Sequence, residues 1–155
     1  MIWEELIEPL IAIDLDAESY EDVMEQIGGL LIREGYTKAS YTEALIAREK
    51  EFPTGLDVDG VGVAIPHTDV SHVNKAGIAI GILRNPVTFI QMGTDDETVE
   101  VRLVFMLAVV NPNEHIDQLQ RIIAIIQDKD VLNKLLKVKD TNQIIEIIKE
   151  KEKTL

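Results

Sequence analysis

From Val99 the chain alternates Val99, Val101 and Leu103 with Glu100 and Arg102, then runs without a polar residue to Val110. Period-two alternation marks a strand with one covered face, and the unbroken apolar run beyond it marks a strand covered on both faces. A strand of this kind belongs in the middle of a sheet with helices on either side. No other stretch narrows the choice of folds so far.

Three further segments read as strands: Leu10 to Ile13 as a short edge or entry strand, Val61 to Ile65, and Gly77 to Leu83. Turns are expected at Asn85-Pro86 and from Met92 to Glu97, with Val87 to Ile90 as a candidate extra strand. Between these lie apolar residues at helical spacing. Tyr20, Val23, Met24, Ile27, Leu30 and Leu31 define a helix over 19–34, and Gly35 is suited to end it. Ser40 and Glu43 have the spacing of a capping box for a second helix through Glu51, closed by the turn Pro53-Thr54-Gly55. Three helices come after the last strand, over about 114–127, 130–137 and 140–151, and Glu150 to Lys153 reads as a solvated end. The order β-α-α-β-β-β-α-α-α, with no repeat or linker, predicts one domain spanning residues 1–155, with a sheet covered by helices on both faces. A chain of 155 residues is long enough to bury ~70% of its unfolded surface without staples.

Acidic side chains outnumber basic ones 28 to 15, for a net charge of −13. Such a field opposes nucleic acid and anionic membranes and favours a basic protein partner. The run Leu103 to Val110 is too short to cross a bilayer, the start Met1-Ile2-Trp3-Glu4-Glu5 has no basic leader, and without cysteine there is no thiol chemistry.

Chemistry concentrates around Asp59 to Asp69. Pro66 has no amide hydrogen to donate, so it ends the ladder of the strand and leaves His67 just beyond it. An imidazole there is available as nucleophile and proton acceptor, although an ordinary loop histidine fits the same spacing. His115 falls in the first turn of the helix after the long strand, where the helix dipole disfavours imidazolium. Both histidines therefore lie past strand ends, and one sheet edge can hold them together. The Gly-x-Ser-x-Gly elbow, the P-loop and a complete dinucleotide fingerprint are absent. A metal centre is not expected: His67, Asp69, His72 and His115 have ligand chemistry, but their spacing is irregular and no His-Glu-x-x-His helix occurs. Phosphoryl transfer through histidine remains, with Arg48 as a cation that can face a transferring group.

Three stretches, Ala44 to Gly55 (ALIAREKEFPTG), Val63-Ala64-Ile65-Pro66-His67 and Asn113 to Leu119 (NEHIDQL), resemble the fructose/mannitol-type enzyme IIA domains of the bacterial sugar phosphotransferase system. The resemblance runs from about Ile13 to Lys149, and the first stretch with Pro66-His67-Thr68-Asp69 looks most like the galactitol-specific branch. It implies an α+β fold, a three-layer α/β/α sandwich with a mixed sheet. It also implies a cytoplasmic phosphocarrier that needs no cofactor. His67 matches the histidine that accepts a phosphoryl group from phospho-HPr and passes it to enzyme IIB, and so indirectly to the membrane component IIC. Arg48 and His115 match the residues flanking it. Asp69, Thr54 and Gly55 are candidate supporting residues, Asp69 through the other ring proton of His67. Thr68 stands where many members have a smaller residue. The same residues suit a regulatory module that is phosphorylated but acts by binding a target protein.

Overall fold

The central strand of the sheet is β5 (Thr98–Ala108), formed by the alternating and then fully apolar run. In the computed structural model, which describes residues 1–155, it is flanked by β4 (Gly77–Ile90) on one side and β3 (Val61–Ala64) on the other. β1 (Ile11–Leu15) and β2 (Gly55–Val58) form the two edges, giving the order β1-β4-β5-β3-β2. The sheet is mixed: β1 runs parallel to β4 and β3 parallel to β5, while β4–β5 and β2–β3 are antiparallel.

Helices cover both faces, as the doubly apolar β5 requires. α1 (Tyr20–Arg33) and α2 (Tyr41–Glu51) lie on one side, where Val23, Met24, Ile27, Leu31, Tyr41 and Leu45 pack against Val104, Met106 and Ala108. α3 (Pro112–Ile126), α4 (Lys129–Leu136) and α5 (Thr141–Glu152) lie on the other, where Ile122, Leu132, Ile144 and Ile148 meet Leu103, Phe105 and Leu107. Successive β5 residues thus serve opposite cores, as strand geometry dictates. Gly28 lets α1 approach α2 and β5, since a β-carbon there would come 3.1 Å from the Thr42 hydroxyl. No helix is long and apolar enough to cross a membrane.

The three-layer sandwich with a mixed sheet agrees with expectation, and four details differ. Gly55 to Val58 form an additional strand, β2, paired with β3 through the two-residue turn Asp59-Gly60. Asn85-Pro86 is not a turn between strands but part of a bulge within a continuous β4, which joins the segment from Val87 to Ile90 to the rest. Pro86 is tolerated there because a bulge residue owes the ladder no hydrogen bond. Ser40 does not cap α2: its backbone is already helical, and its hydroxyl lies 2.8 Å from His72 Nδ1. The end of α5 is not wholly solvated either. Glu152 is fully buried and accepts the backbone N–H groups of Ile2 at 3.0 Å and Trp3 at 2.7 Å.

Candidate functional site: a pair of imidazoles at one sheet edge

β3 and β5 are parallel neighbours, so the chain leaves both strands at the same edge of the sheet. The ladder closes with the Leu107 N–H donating to the Pro66 carbonyl at 3.0 Å, and His67 comes next. Its Nδ1 lies 2.9 Å from the carbonyl oxygen of Ile65. A carbonyl only accepts, so Nδ1 holds the proton and Nε2 keeps its lone pair. Beyond β5, the side chain of Asn111 caps α3 by accepting from the Asn113 N–H, and Pro112 opens the helix. His115 sits one turn in. The two rings meet with centroids 4.4 Å apart and planes inclined by 52°.

Burial pushes the His67 imidazole below its ordinary range; the Ile65 carbonyl opposes this, and the charge of Arg48 adds to it. His115 is pushed down to about 4, first by burial, then by His67 and Arg48. Both rings are therefore neutral at neutral pH, with an unprotonated Nε2 on His67 suited to nucleophilic attack. The Nδ1 of His115 is buried without a partner. An acceptor left alone is tolerated more readily than an orphaned N–H, so its proton belongs on Nε2, as a donor beside His67.

Arg48 lies exposed in the last turn of α2, its guanidinium 4.4 Å above the Phe52 ring and in no ion pair. Its placement depends on Thr54. The Thr54 N–H and hydroxyl donate to the buried carboxylate of Glu49 at 2.7 and 2.8 Å, and its carbonyl accepts from Ile65 N–H at 3.4 Å. Thr54 thereby joins the end of α2, which bears Arg48, to the end of β3, which leads to His67. At the other end of α2, the Tyr41 hydroxyl donates to the Leu107 carbonyl at 2.6 Å.

The remaining candidates are elsewhere. Asp69 accepts from the Ser71 hydroxyl at 3.2 Å and not from His67, so the Ile65 carbonyl takes the orienting role expected of that carboxylate. Gly55 serves packing, since a β-carbon there would come 2.7 Å from the Ile90 carbonyl. Thr68 is buried and has little part in the outer surface. His72 belongs with Ser40 and shares a shallow depression with Arg48. Glu49 was missed by sequence reasoning. It continues the inward series Tyr41, Leu45, Glu49 at intervals of four, which is the signal that could have found it.

The fold and site define a class of α/β/α domains on a mixed sheet, with two neutral imidazoles and an arginine brought together where parallel strands end. The chain belongs to the family described as phosphoenolpyruvate-dependent sugar phosphotransferase system, EIIA 2, whose model matches residues 5–151. It is a IIA component of that system. The galactitol-specific EIIA component of Escherichia coli K12 is 33% identical over 120 residues, 77% of this chain and 79% of that protein. The nitrogen regulatory protein IIA-Ntr of Neisseria meningitidis is 32% identical with a TM-score of 0.80, covering 95% of this chain and 98% of that one. The complex of enzyme IIA-mannitol with phosphorylated enzyme IIB-mannitol from Escherichia coli gives 25% identity and a TM-score of 0.78, over 94% and 97%.

Proposed function

We propose that the chain, acting as one IIA domain in the cytoplasm, is a phosphocarrier for polyol uptake, galactitol being the substrate best supported. It accepts a phosphoryl group from phospho-HPr on Nε2 of His67 and delivers it to a IIB protein. The observation that carries this reading is the His67 ring, with Nδ1 tied to the Ile65 carbonyl and Nε2 free beside His115. In the transfer, the Nε2 lone pair forms a bond to phosphorus as the donor's N–P bond breaks. The Ile65 carbonyl stabilises the positive charge that develops on the ring, while His115 Nε2–H and Arg48 face the phosphoryl oxygens. Positioning and electrostatics supply most of the rate in such a step. Delivery to IIB reverses the sequence.

The galactitol-specific relative supports the choice of substrate, and the relative solved with phosphorylated IIB supports the choice of acceptor. Phospho-HPr is expected to leave an acid-labile phosphate on His67, and its absence would defeat the proposal. His67→Ala is expected to abolish acceptance. His115→Ala and Arg48→Ala each slow it by roughly two to three powers of ten, the effect of losing one electrostatic donor. Near-normal rates in both would remove them from the mechanism. A second reading, a regulatory module phosphorylated in the same way, is favoured by the likeness to a nitrogen regulatory protein. Acceptance without transfer to any IIB protein would select it.

A further inference from the structure

Two ladders of the sheet break at one shared residue. Ile82 pairs with Leu103 and Val87 with Val101, so residues 83–86 of β4 face Arg102 alone. On the other side Gly62 pairs with Val101 and Val63 with Leu103, so that here Arg102 itself is the surplus residue, against β3. A surplus residue bends its strand and turns its side chain out of the normal alternation. Arg102 consequently lines a groove of about 350 Å3 floored by Ile13, Ile82, Leu136 and Val138, with Arg84, Lys139 and the carboxylate of Asp14 at the same groove. Its Nε donates to the Leu83 carbonyl at 3.1 Å, and the two terminal nitrogens of the guanidinium have no protein partner.

A third irregularity meets the other two. β1 shifts register between Ala12 and Leu15, and Asp14 within that step has φ of 56°, in the left-handed region that non-glycine residues seldom occupy. Its carboxylate takes both Nε and Nη2 of Arg84, at 3.0 and 3.3 Å. Arg84 is thereby answered by Asp14, with Asp16 a further 3.7 Å contact. Arg102 and Lys139 enter no ion pair. In a chain of net charge −13, the two cations that Asp14 and Asp16 do not answer thus share one groove with apolar side chains.

We propose that this groove binds a small phosphate monoester. The free edge of the Arg102 guanidinium matches two oxygens of one phosphate head, and the Lys139 ammonium supplies a point charge for a third. The apolar floor takes the carbon body. One cationic cluster beside one apolar floor suits a dianion with its charge on a single centre, whereas a dicarboxylate would place its second charge on the floor. The groove is separate from the imidazole pair: Arg102 stands six residues before the end of β5, about 20 Å along the strand. The ligand is thus an effector rather than the transferred group, and the proposal stands or falls independently of phosphorylation at His67.

The test is a titration of the full chain, monitored by amide NMR, with a hexitol monophosphate, and in parallel with the free hexitol, inorganic phosphate and a dicarboxylate of similar length. The expected result is saturable shifts at Ile13, Leu83, Arg102 and Lys139 with the monophosphate, none with the free hexitol, and weaker binding of the other two. Lys139→Gln, on the exposed link between α4 and α5, and Arg102→Lys, which keeps charge but loses the fork, should each weaken binding about tenfold, the loss of one charge-assisted contact. No saturable shift up to about 10 mM would overturn the site. Unchanged affinity in both variants, or shifts centred on His67 and His115, would do the same. Equal binding of the dicarboxylate or of inorganic phosphate would overturn the ligand class.

Discussion

An imidazole can receive a group only while the attacking nitrogen is unprotonated, and two devices keep His67 in that state. The Ile65 carbonyl fixes the tautomer, and burial with a nearby guanidinium disfavours a second proton. His115 shares the second device. For both, the folded state binds a proton less readily than the unfolded chain, so acidification favours unfolding. For His115 the window runs from its ordinary 6.5 down to about 4: its contribution is complete above the upper value and is lost progressively as pH falls towards the lower. In urea unfolding between about pH 7 and pH 5, the native chain is therefore expected to lose more stability than His115→Gln. Equal losses would mean that His115 titrates as in solvent. An NMR titration should likewise place the His67 midpoint below 6.5. The meeting of these two rings was legible in the sequence, because His67 comes just past one strand, His115 opens the helix that follows another, and the strands are recognisable. The orienting partner was not: a backbone carbonyl belongs to no particular residue type, and the carboxylate of Asp69 drew attention in its place.

At the scale of elements, β3 is held in position by what Gly62 lacks. A β-carbon at Gly62 would run into the carbonyl group of Glu100 on β5, a backbone atom that cannot swing aside. Gly62→Ala should therefore destabilise the fold by about 2–4 kcal/mol, measured by chemical denaturation. It should also disturb the His67 resonances, since β3 carries that ring at its end. A loss below about 0.5 kcal/mol would mean that β3 slides freely. The hairpin partner β2 went unread although Asp59-Gly60, with φ of 50° and 89°, is a favoured two-residue hairpin turn. Leu56-Asp57-Val58 is too short to show a period, and the turn chemistry was the only signal. Ser40 shows the opposite error. Its spacing to Glu43 suits a cap, but the hydroxyl is engaged by a histidine 32 positions away, which no local pattern records.

For the molecule as a whole, the least expected residue is Glu152. An acidic end to a helix reads as solvated, yet Ile144, Ile148 and Glu152 form one inward series at intervals of four, as Tyr41, Leu45 and Glu49 do on α2. In both helices the position of the carboxylate outweighed its charge, and periodicity carried through the acidic residue would have revealed it. Glu152→Ala leaves the buried Ile2 N–H and the part-buried Trp3 N–H without acceptors and should cost roughly 3–5 kcal/mol, while Glu152→Gln, keeping one acceptor oxygen, should cost less. Denaturant titration of the two variants, with amide exchange at Ile2 and Trp3, measures this; losses under about 1 kcal/mol would show the clasp to be idle. The clasp joins residues 150 positions apart in the sequence. On the ribosome, Ile2 and Trp3 must therefore wait for synthesis to pass Glu152 before their final resting place exists. A nascent chain interrupted before Glu152 would hold Ile2 and Trp3 unanchored, open to proteases that the folded domain excludes.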